Sequence, residues 1–379
     1  MVSQDLVKVR GRHHKMVLVW TRGPVRLTCP DGNASAPVTS VITSFSLDVL
    51  NPLVRGTNLE RDEAREALTA ILTGQVEGVL IASFMTALTA KGETADEMTG
   101  FIDAMVATAT TFDIGPDAMD IVGTGGDQLH TVNISTMAAF VLAGSGVPVA
   151  KHGNRAASSK VGSADVLEAL GVRLDAPEEV VRACVNGAGI GFLFAPKFHH
   201  ALGYLSPIRR ALGFRTIFNV LGPLANPALV RRSLIGVAQP HLLDHMAQVL
   251  STRGIDYAIL VNGDDGLDEL SLGTPSSLRV ISPDGVETRR LDAAQELGFS
   301  HDAASIRGGE TDHNLAVVRA FLEGRQGPVF DVVCANAALA LMVAGRADTL
   351  SAGFEIARSN VLNGNAAQAL DRLVTISNS

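Results

Sequence analysis

The chain has 379 residues, 46% of them apolar and 18% charged, with a formal charge of −8. That length and apolar content allow one large or two modest domains with a sizeable core and exclude wholesale disorder. The negative balance argues against nucleic acid as a partner, yet an acidic protein still binds an anion where its site concentrates cations, backbone amides or metal ions.

The first 44 residues stand apart, with Lys8, Arg10, Arg12, Lys15, Arg22 and Arg26 against Asp5 and Asp31. This local +4 leaves −12 for the remainder. A flexible tail, an over-long start with Met16 as one alternative, and a targeting segment all fit such a composition. The missing apolar signal core and Asp5 favour an atypical, dispensable basic extension over 1–44.

From 45 to 112 the pattern is helical. Asn58 is placed to cap a helix whose apolar face includes Leu68, Ile71 and Leu72. Gly74 interrupts, and a second helix offers Val79, Leu80, Phe84 and Leu88. Thr94 and Glu97 then have capping-box spacing ahead of Phe101, Ile102 and Met105. After Asp113, short valine- and isoleucine-rich runs alternate with helical stretches and glycine turns. Strands are expected over 118–122, 147–151, 258–261 and 278–281, and helices over 163–170 and 313–322. The most apolar long stretch, 334–344, is too short to span a membrane and reads as a buried helix. The pattern predicts a small all-helical unit followed by an α/β domain with a central sheet. Cys29, Cys184 and Cys334 are odd in number and far apart, which suits a reducing, cytoplasmic setting and gives neither a disulfide framework nor a zinc signature.

Three loops at expected strand ends carry the chemistry. The first runs Asp120-Ile121-Val122-Gly123-Thr124-Gly125-Gly126-Asp127 and continues through Thr131, Asn133, Ser135 and Thr136 into a helix. Glycines let the backbone curl close to a ligand, and hydroxyls at a helix N-terminus make a ready anion site. The spacing is neither the dinucleotide fingerprint, which fails at Gln128, nor a P-loop. A tight turn with Ser135 or Asn133 as a plain cap competes with phosphate binding here. The second loop, Lys151-His152-Gly153-Asn154-Arg155 with Ser158 and Ser159, supplies cations and donors. The third holds Asp264, Asp265, Asp268 and Glu269, which make sense as holders of a hard cation such as Mg²⁺ and otherwise form a solvated acidic turn. A further stretch holds Phe194, Pro196, His199 and Arg209, then Arg215-Thr216-Ile217-Phe218-Asn219 and Gly222-Pro223. Arg209 suits a carboxylate fork or a helix-surface cation.

In order, the chain reads G-T-G-G-D with T-x-N-I-S-T, K-H-G-N-R-x-x-S-S, G-S-A-D-V-L-E-A-L-G-V, F-A-P-x-x-H, R-T-x-F-N-x-L-G-P-L-x-N-P and G-L-D-E. In this combination it resembles the anthranilate phosphoribosyltransferases of tryptophan biosynthesis, from about Val49 to the C-terminus. G-T-G-G-D is shared with pyrimidine nucleoside phosphorylases, which remain an alternative, as does a non-catalytic nucleic-acid-binding relative of the same fold. The resemblance implies a small helical domain at 45–112, rejoined by about 196–215. It also implies a large α/β domain over 113–379, with a central mixed sheet flanked by helices, and a cytoplasmic homodimer that engages neither nucleic acid nor membrane. It further implies transfer of the 5-phosphoribosyl group from phosphoribosyl pyrophosphate to the amine of anthranilate, with release of pyrophosphate and two Mg²⁺ ions per subunit. Carried over by position, Gly123, Gly126, Asp127, Thr131, Asn133, Ile134, Ser135, Thr136, Lys151, Ser158 and Ser159 would contact the donor. Gly123, His152, Asn154, Arg209 and Gly222 would receive anthranilate, and Ser135, Asp268 and Glu269 would serve the metal. No strong general base stands out; Lys151, Asp268 and Glu269 would act electrostatically.

Overall fold

A computed structural model describes residues 44–156 and 160–379. The basic extension before Ser44, with Cys29, and the pair Ser158 and Ser159 lie outside the described residues.

After helical turns over Phe45–Leu50 and Asn51–Val54, three helices form a bundle: α1 (Arg61–Leu72), α2 (Gly78–Lys91) and α3 (Ala95–Ala107). Ala64, Ala67, Leu68, Ile71 and Leu72 give α1 one apolar face at helical spacing. That face meets α3 at Gly100, where a Cβ would lie 2.2 Å from the Arg61 carbonyl. Asn58 does not cap α1. Glu60 takes the N-cap position and Glu63 reaches back to its amide, while the Asn58 side chain instead accepts the Lys91 ammonium at 2.8 Å. Val79 lies outside the buried face of α2 at 68% exposure; Ile81, Phe84, Met85 and Leu88 form that face. The Thr94–Glu97 box is formed, and Glu97 does more than cap. Fully buried, it also accepts the Leu59 amide and the Lys91 ammonium, each at 2.9 Å.

The α/β part carries a seven-stranded mixed sheet in the order β3-β2-β1-β4-β5-β6-β7. Its strands are β1 (Met119–Gly123), β2 (Val149–Gly153), β3 (Ile190–Phe194), β4 (Arg232–Gly236), β5 (Tyr257–Gly263), β6 (Ser276–Ser282) and β7 (Gly285–Leu291). β1 to β5 pair in parallel, and β6 and β7 add an antiparallel hairpin. β3, β4 and β7 were not expected. The first two are short, largely buried runs without alternation, and β7 is a polar edge strand exposed along most of its length. Helix α4 (Ile134–Gly144) follows β1, and α5 (Ser163–Ala169) follows β2. The apolar run ending near 344 lies within the buried helix Pro328–Val343. The chain progresses outward from β1 through β2 to β3, then returns to place β4 and β5 on its other side. The β1–β4 boundary is therefore the topological switch point, where ligands bind beyond the carboxyl ends of strands.

One apolar cluster runs through both parts. Residues of α1, α2 and α3 join Leu205, Ile217, Phe218, Val220 and Leu221, then Ile235 in β4, Val237 just after it and Leu260 in β5. The segment 200–225 thus lies between the helical bundle and the sheet. Cys184 and Cys334 are buried free thiols, and burial pushes Cys184 up to about 11 and Cys334 up as well. Replacing Glu97 with Ala would leave the buried Lys91 ammonium without its counter-charge, which costs about 3–5 kcal/mol. A urea denaturation curve should show that loss as a lower midpoint with an unchanged slope.

Candidate active site

The first loop leaves β1 at the switch point and is stitched across it. Thr124 N–H donates to the Gly236 carbonyl at 2.9 Å, and its hydroxyl accepts Ala238 N–H at 3.0 Å. Asp268 and Glu269 arrive from the loop after β5. A Cβ on Gly236 would lie 1.6 Å from the Asp268 carbonyl oxygen, and one on Gly123 would lie 2.6 Å from the Asp268 carboxylate. Glycine at both strand ends is therefore what lets the acidic loop descend onto the sheet. The Asp268 carboxylate accepts Gly125 N–H at 2.7 Å, and Glu269 accepts Ser135 N–H at 3.2 Å. Burial, reinforced by the neighbouring Asp127, pushes Asp268 up to about 7. Burial and the charge of Asp268 push Glu269 up to about 8.

Two enclosed carboxylates that repel each other, with Asp127 and the Ser135 hydroxyl beside them, form an oxygen donor set suited to a hard cation. Among the described residues, no three or more acidic, histidine or cysteine side chains close a metal cage by themselves. The arrangement fits Mg²⁺, which is bound through one or two carboxylates and completes its shell with water and phosphate oxygens.

Lys151, in β2, is 1% exposed rather than a solvated surface charge. Its ammonium donates to the Ile121 carbonyl at 2.6 Å and reaches the Ser135 hydroxyl at 3.4 Å. Burial draws its pKa down, while Asp120 and Glu269 oppose that shift. Arg155 is not free to meet an anion. Asp165 takes one of its N–H groups at 3.0 Å and Glu168 two, at 2.7 and 2.9 Å.

His152 follows Lys151, with Nδ1 3.2 Å from the Gly222 carbonyl and its ring centroid 5.3 Å from that of His199. Burial draws its pKa down to about 3, so the ring is neutral at ordinary pH. Its Nε2 is buried with no hydrogen-bond partner among the described residues. Beneath it, Asp120 accepts His152 N–H at 3.2 Å and the Asn226 amide at 2.7 Å. Asn226 also donates to the Ala150 carbonyl at 2.8 Å, so the L-G-P-L-x-N-P stretch is pinned to β1 and β2.

The structure brings Gly123, Asp127, Ser135, Lys151, Asp268 and Glu269 into one constellation and joins His152 to Gly222. Ile134 and Thr136 are buried in the first turn of α4, and Thr131 forms a bridge to Arg307. Asn154 accepts the Arg155 amide at 2.7 Å. Arg209 lies on α6 (Ser206–Leu212), its guanidinium 5.9 Å from the centre of the Phe218 ring.

Arg215 has no assigned role in the sequence reading, although its motif was noted. Its guanidinium lies on the glycine loop, donating to the Gly125 carbonyl at 2.8 Å and the Thr124 carbonyl at 3.3 Å. A Cβ on Gly126 would fall 1.6 Å from it, and Asp268 and Asp127 are its nearby counter-charges.

The class of protein is shown by two matches. Residues 115–367 match the domain described as "Glycosyl transferase family, a/b domain", and residues 47–109 match "Glycosyl transferase family, helical bundle domain". The chain is 49% identical to an anthranilate phosphoribosyltransferase of Thermomicrobium roseum over 335 residues, covering 87% of this chain and 96% of the relative. It is 47% identical to one of Rhodococcus jostii, covering 86% and 91%. The crystal structure of anthranilate phosphoribosyltransferase from Thermus thermophilus superposes with a TM-score of 0.81 at 39% identity, over 88% of this chain and all of that one. The Saccharomyces cerevisiae enzyme in complex with PRPP and Mg gives 0.81 at 26% identity, over 89% of this chain and 99% of that one. The chain belongs to the anthranilate phosphoribosyltransferase family.

Gly126, at a φ of +82°, has room for Arg215 only because it lacks a side chain. Gly126→Ala should lower stability by about 1–3 kcal/mol through overpacking and backbone strain. Part of that loss should return in Gly126→Ala/Arg215→Ala, read from the denaturation midpoints of the two variants.

Proposed function

We propose that the chain transfers the 5-phosphoribosyl group of phosphoribosyl pyrophosphate to the amine of anthranilate and releases pyrophosphate. The observation that carries this reading is the acidic pair of half-buried Asp268 and buried Glu269, held against a glycine loop and beside Lys151 at the switch point. Such a pair suits a metal-bound pyrophosphate. Support also comes from the family membership and from the yeast relative in complex with PRPP and Mg.

In this reading the donor lies over Gly123, Gly126, Asp127, Thr131, Asn133, Ile134, Ser135 and Thr136, with Lys151 beneath. Ser135, Asp268 and Glu269 would hold two Mg²⁺ ions, which would supply charge neutralisation to the pyrophosphate leaving group. Departure of pyrophosphate leaves positive character on the ribose, as in other glycosidic cleavages. Lys151 and the loop amides stabilise the negative charge that forms on the leaving group. Arg209 receives the anthranilate carboxylate, while His152, Asn154, Gly123 and Gly222 line the ring and hold its amine toward C1′. An arylamine attacks in its neutral form, so no base is needed before bond formation, and the neutral His152 ring fits that chemistry. A homodimer through the helical part would cover Leu47, Val54 and Val79, which are exposed there. Buried unpaired thiols suit the cytoplasm.

The activity is tested by the decay of anthranilate fluorescence when enzyme, phosphoribosyl pyrophosphate and Mg²⁺ are combined, with no decay when any one is omitted. Loss of the charge-assisted partner in Arg209→Ala should cost about 1.5–3 kcal/mol, or roughly one to two decades. The loss should fall on the KM for anthranilate; an equal rise in the donor KM would refute the carboxylate assignment. The double substitution Asp268→Asn/Glu269→Gln keeps size and removes charge. It should melt no lower than wild type yet require much more Mg²⁺ for half-maximal rate. Coincident Mg²⁺ titration curves would take both carboxylates out of the reaction.

A further inference from the structure

The donor loop has a wall that none of the motifs above includes. Residues 306–309 run beside 130–132: Val132 N–H donates to the Ile306 carbonyl at 3.0 Å and Gly308 N–H to the His130 carbonyl at 2.7 Å. His130 and Gln128 hold φ values of +52° and +62°, a left-handed backbone that side-chain-bearing residues keep only where their surroundings impose it. A Cβ on Gly308 would lie 2.8 Å from the Thr131 carbonyl, so this approach requires glycine.

Behind this wall, in helix α7 (Thr311–Leu322), Asn314 is 2% exposed. A buried amide is tolerated only when its polar atoms are paired, and here the pairing has a direction. Asn314 Oδ1 accepts Gly309 N–H at 2.8 Å, and its Nδ2 donates to Asn133 Oδ1 at 3.1 Å. Asn133 Nδ2 in turn donates to the Val161 carbonyl at 3.2 Å. A backbone donor fixes one end and a backbone acceptor the other. Turning over the Asn314 amide would set N–H against N–H, and turning over Asn133 would set oxygen against oxygen. Asn133, one of the two residues that the competing reading makes a plain cap, makes no side-chain cap bond to α4. Its amide instead ties the donor loop to the return of the Lys151 loop at Val161 and to α7.

We propose that Asn314 is a positioning residue for the phosphoribosyl donor, acting through Asn133 to hold the T-x-N-I-S-T turn in its binding geometry. This rests on the donor reading of the first loop. Asn314 meets no substrate atom in this scheme; it sets the one orientation of Asn133 that joins three segments around the phosphates.

The test is calorimetric binding of phosphoribosyl pyrophosphate with Mg²⁺, together with KM for both substrates, in the full-length protein. Asn314→Asp keeps the acceptor for Gly309 and removes the donor to Asn133 without changing size. It should weaken donor binding about tenfold, as expected for a lost buried hydrogen bond, and leave the anthranilate KM within about twofold. Gly308→Ala, which presses on the Thr131 carbonyl from the same wall, should show the same split. In the cycle of Asn133→Ala, Asn314→Ala and the double variant, the double should bind the donor no worse than Asn133→Ala alone. Unchanged donor binding in Asn314→Asp, an equal rise in both KM values, or additive losses in the cycle would overturn the assignment. Failure of the wild-type protein to bind the donor would overturn the functional reading and this inference together.

Discussion

Everything at this site depends on drawing two carboxylates, buried Glu269 and half-buried Asp268, out of water at the place where the sheet reverses its winding. Enclosing Asp268 and Glu269 is costly, because each is drawn from water beside another negative charge. The fold accepts the cost by surrounding them with donors: Gly125 N–H, Ser135 N–H, the nearby Lys151 ammonium and the Arg215 guanidinium. Glycine at 123 and 236 follows from the same constraint, since either Cβ would collide with Asp268. A carboxylate pair held this way is a poor stabiliser of structure and a good receiver of positive charge, which is how a metal-dependent site differs from a structural ion pair.

The acceptor side is attached to this centre by packing as well as by polar contacts. Segment 200–225 contributes Leu205, Ile217, Phe218, Val220 and Leu221 to the same cluster as α1, α2 and α3. It also sends Arg215 onto the glycine loop and Gly222 to His152, and Asn226, the next residue after it, reaches Asp120. A displacement of the bundle is therefore felt at the donor loop through a few residues whose partners are backbone carbonyls and buried side chains. The low pKa of His152 belongs to this arrangement. Burial draws it down and the neighbouring His199 and Lys151 add to the effect, while Asp120 beneath is engaged by Asn226 and the His152 amide.

Much of this was legible in the sequence, and the omissions have physical causes. Local signals are the legible ones: the Thr94–Glu97 box and the glycines that follow β1 each depend on residues close together in the chain. The α1 cap was misplaced because Asn58 has a second use, as partner of Lys91 some 33 residues away. Strands β3 and β4 are five-residue runs buried on both faces, which lack the alternation that betrays a half-buried strand. β7 is polar because it is an edge, and only the Asp284-Gly285 turn marked it. Arg155 looked like a phosphate cation until Asp165 and Glu168, ten and thirteen residues on, were placed beside it. The connection from Asn133 to Asn314 spans 181 residues, and no local pattern could announce it.

An acidic body with an anionic substrate becomes coherent once its cations are sorted by what they face. Many are committed to surface pairs: Arg61 and Arg253 with Asp103, Arg155 with Asp165 and Glu168, Arg182 with Glu178, Arg289 with Glu287, and Arg290 with Asp264. Such exposed pairs add little stability, but they remove the charges from competition for a ligand. Among the described residues, Lys151, Arg209 and Arg215 enter no ion pair, and burial lowers the pKa of each. Their direct contacts are to neutral groups, backbone carbonyls for Lys151 and Arg215 and the Phe218 ring for Arg209, while the carboxylates near Lys151 and Arg215 act on them without a direct ion pair. A cation desolvated against neutral partners interacts with an arriving anion more strongly than one already paired in water. The site can thus draw in phosphate and carboxylate groups while the protein as a whole remains negative.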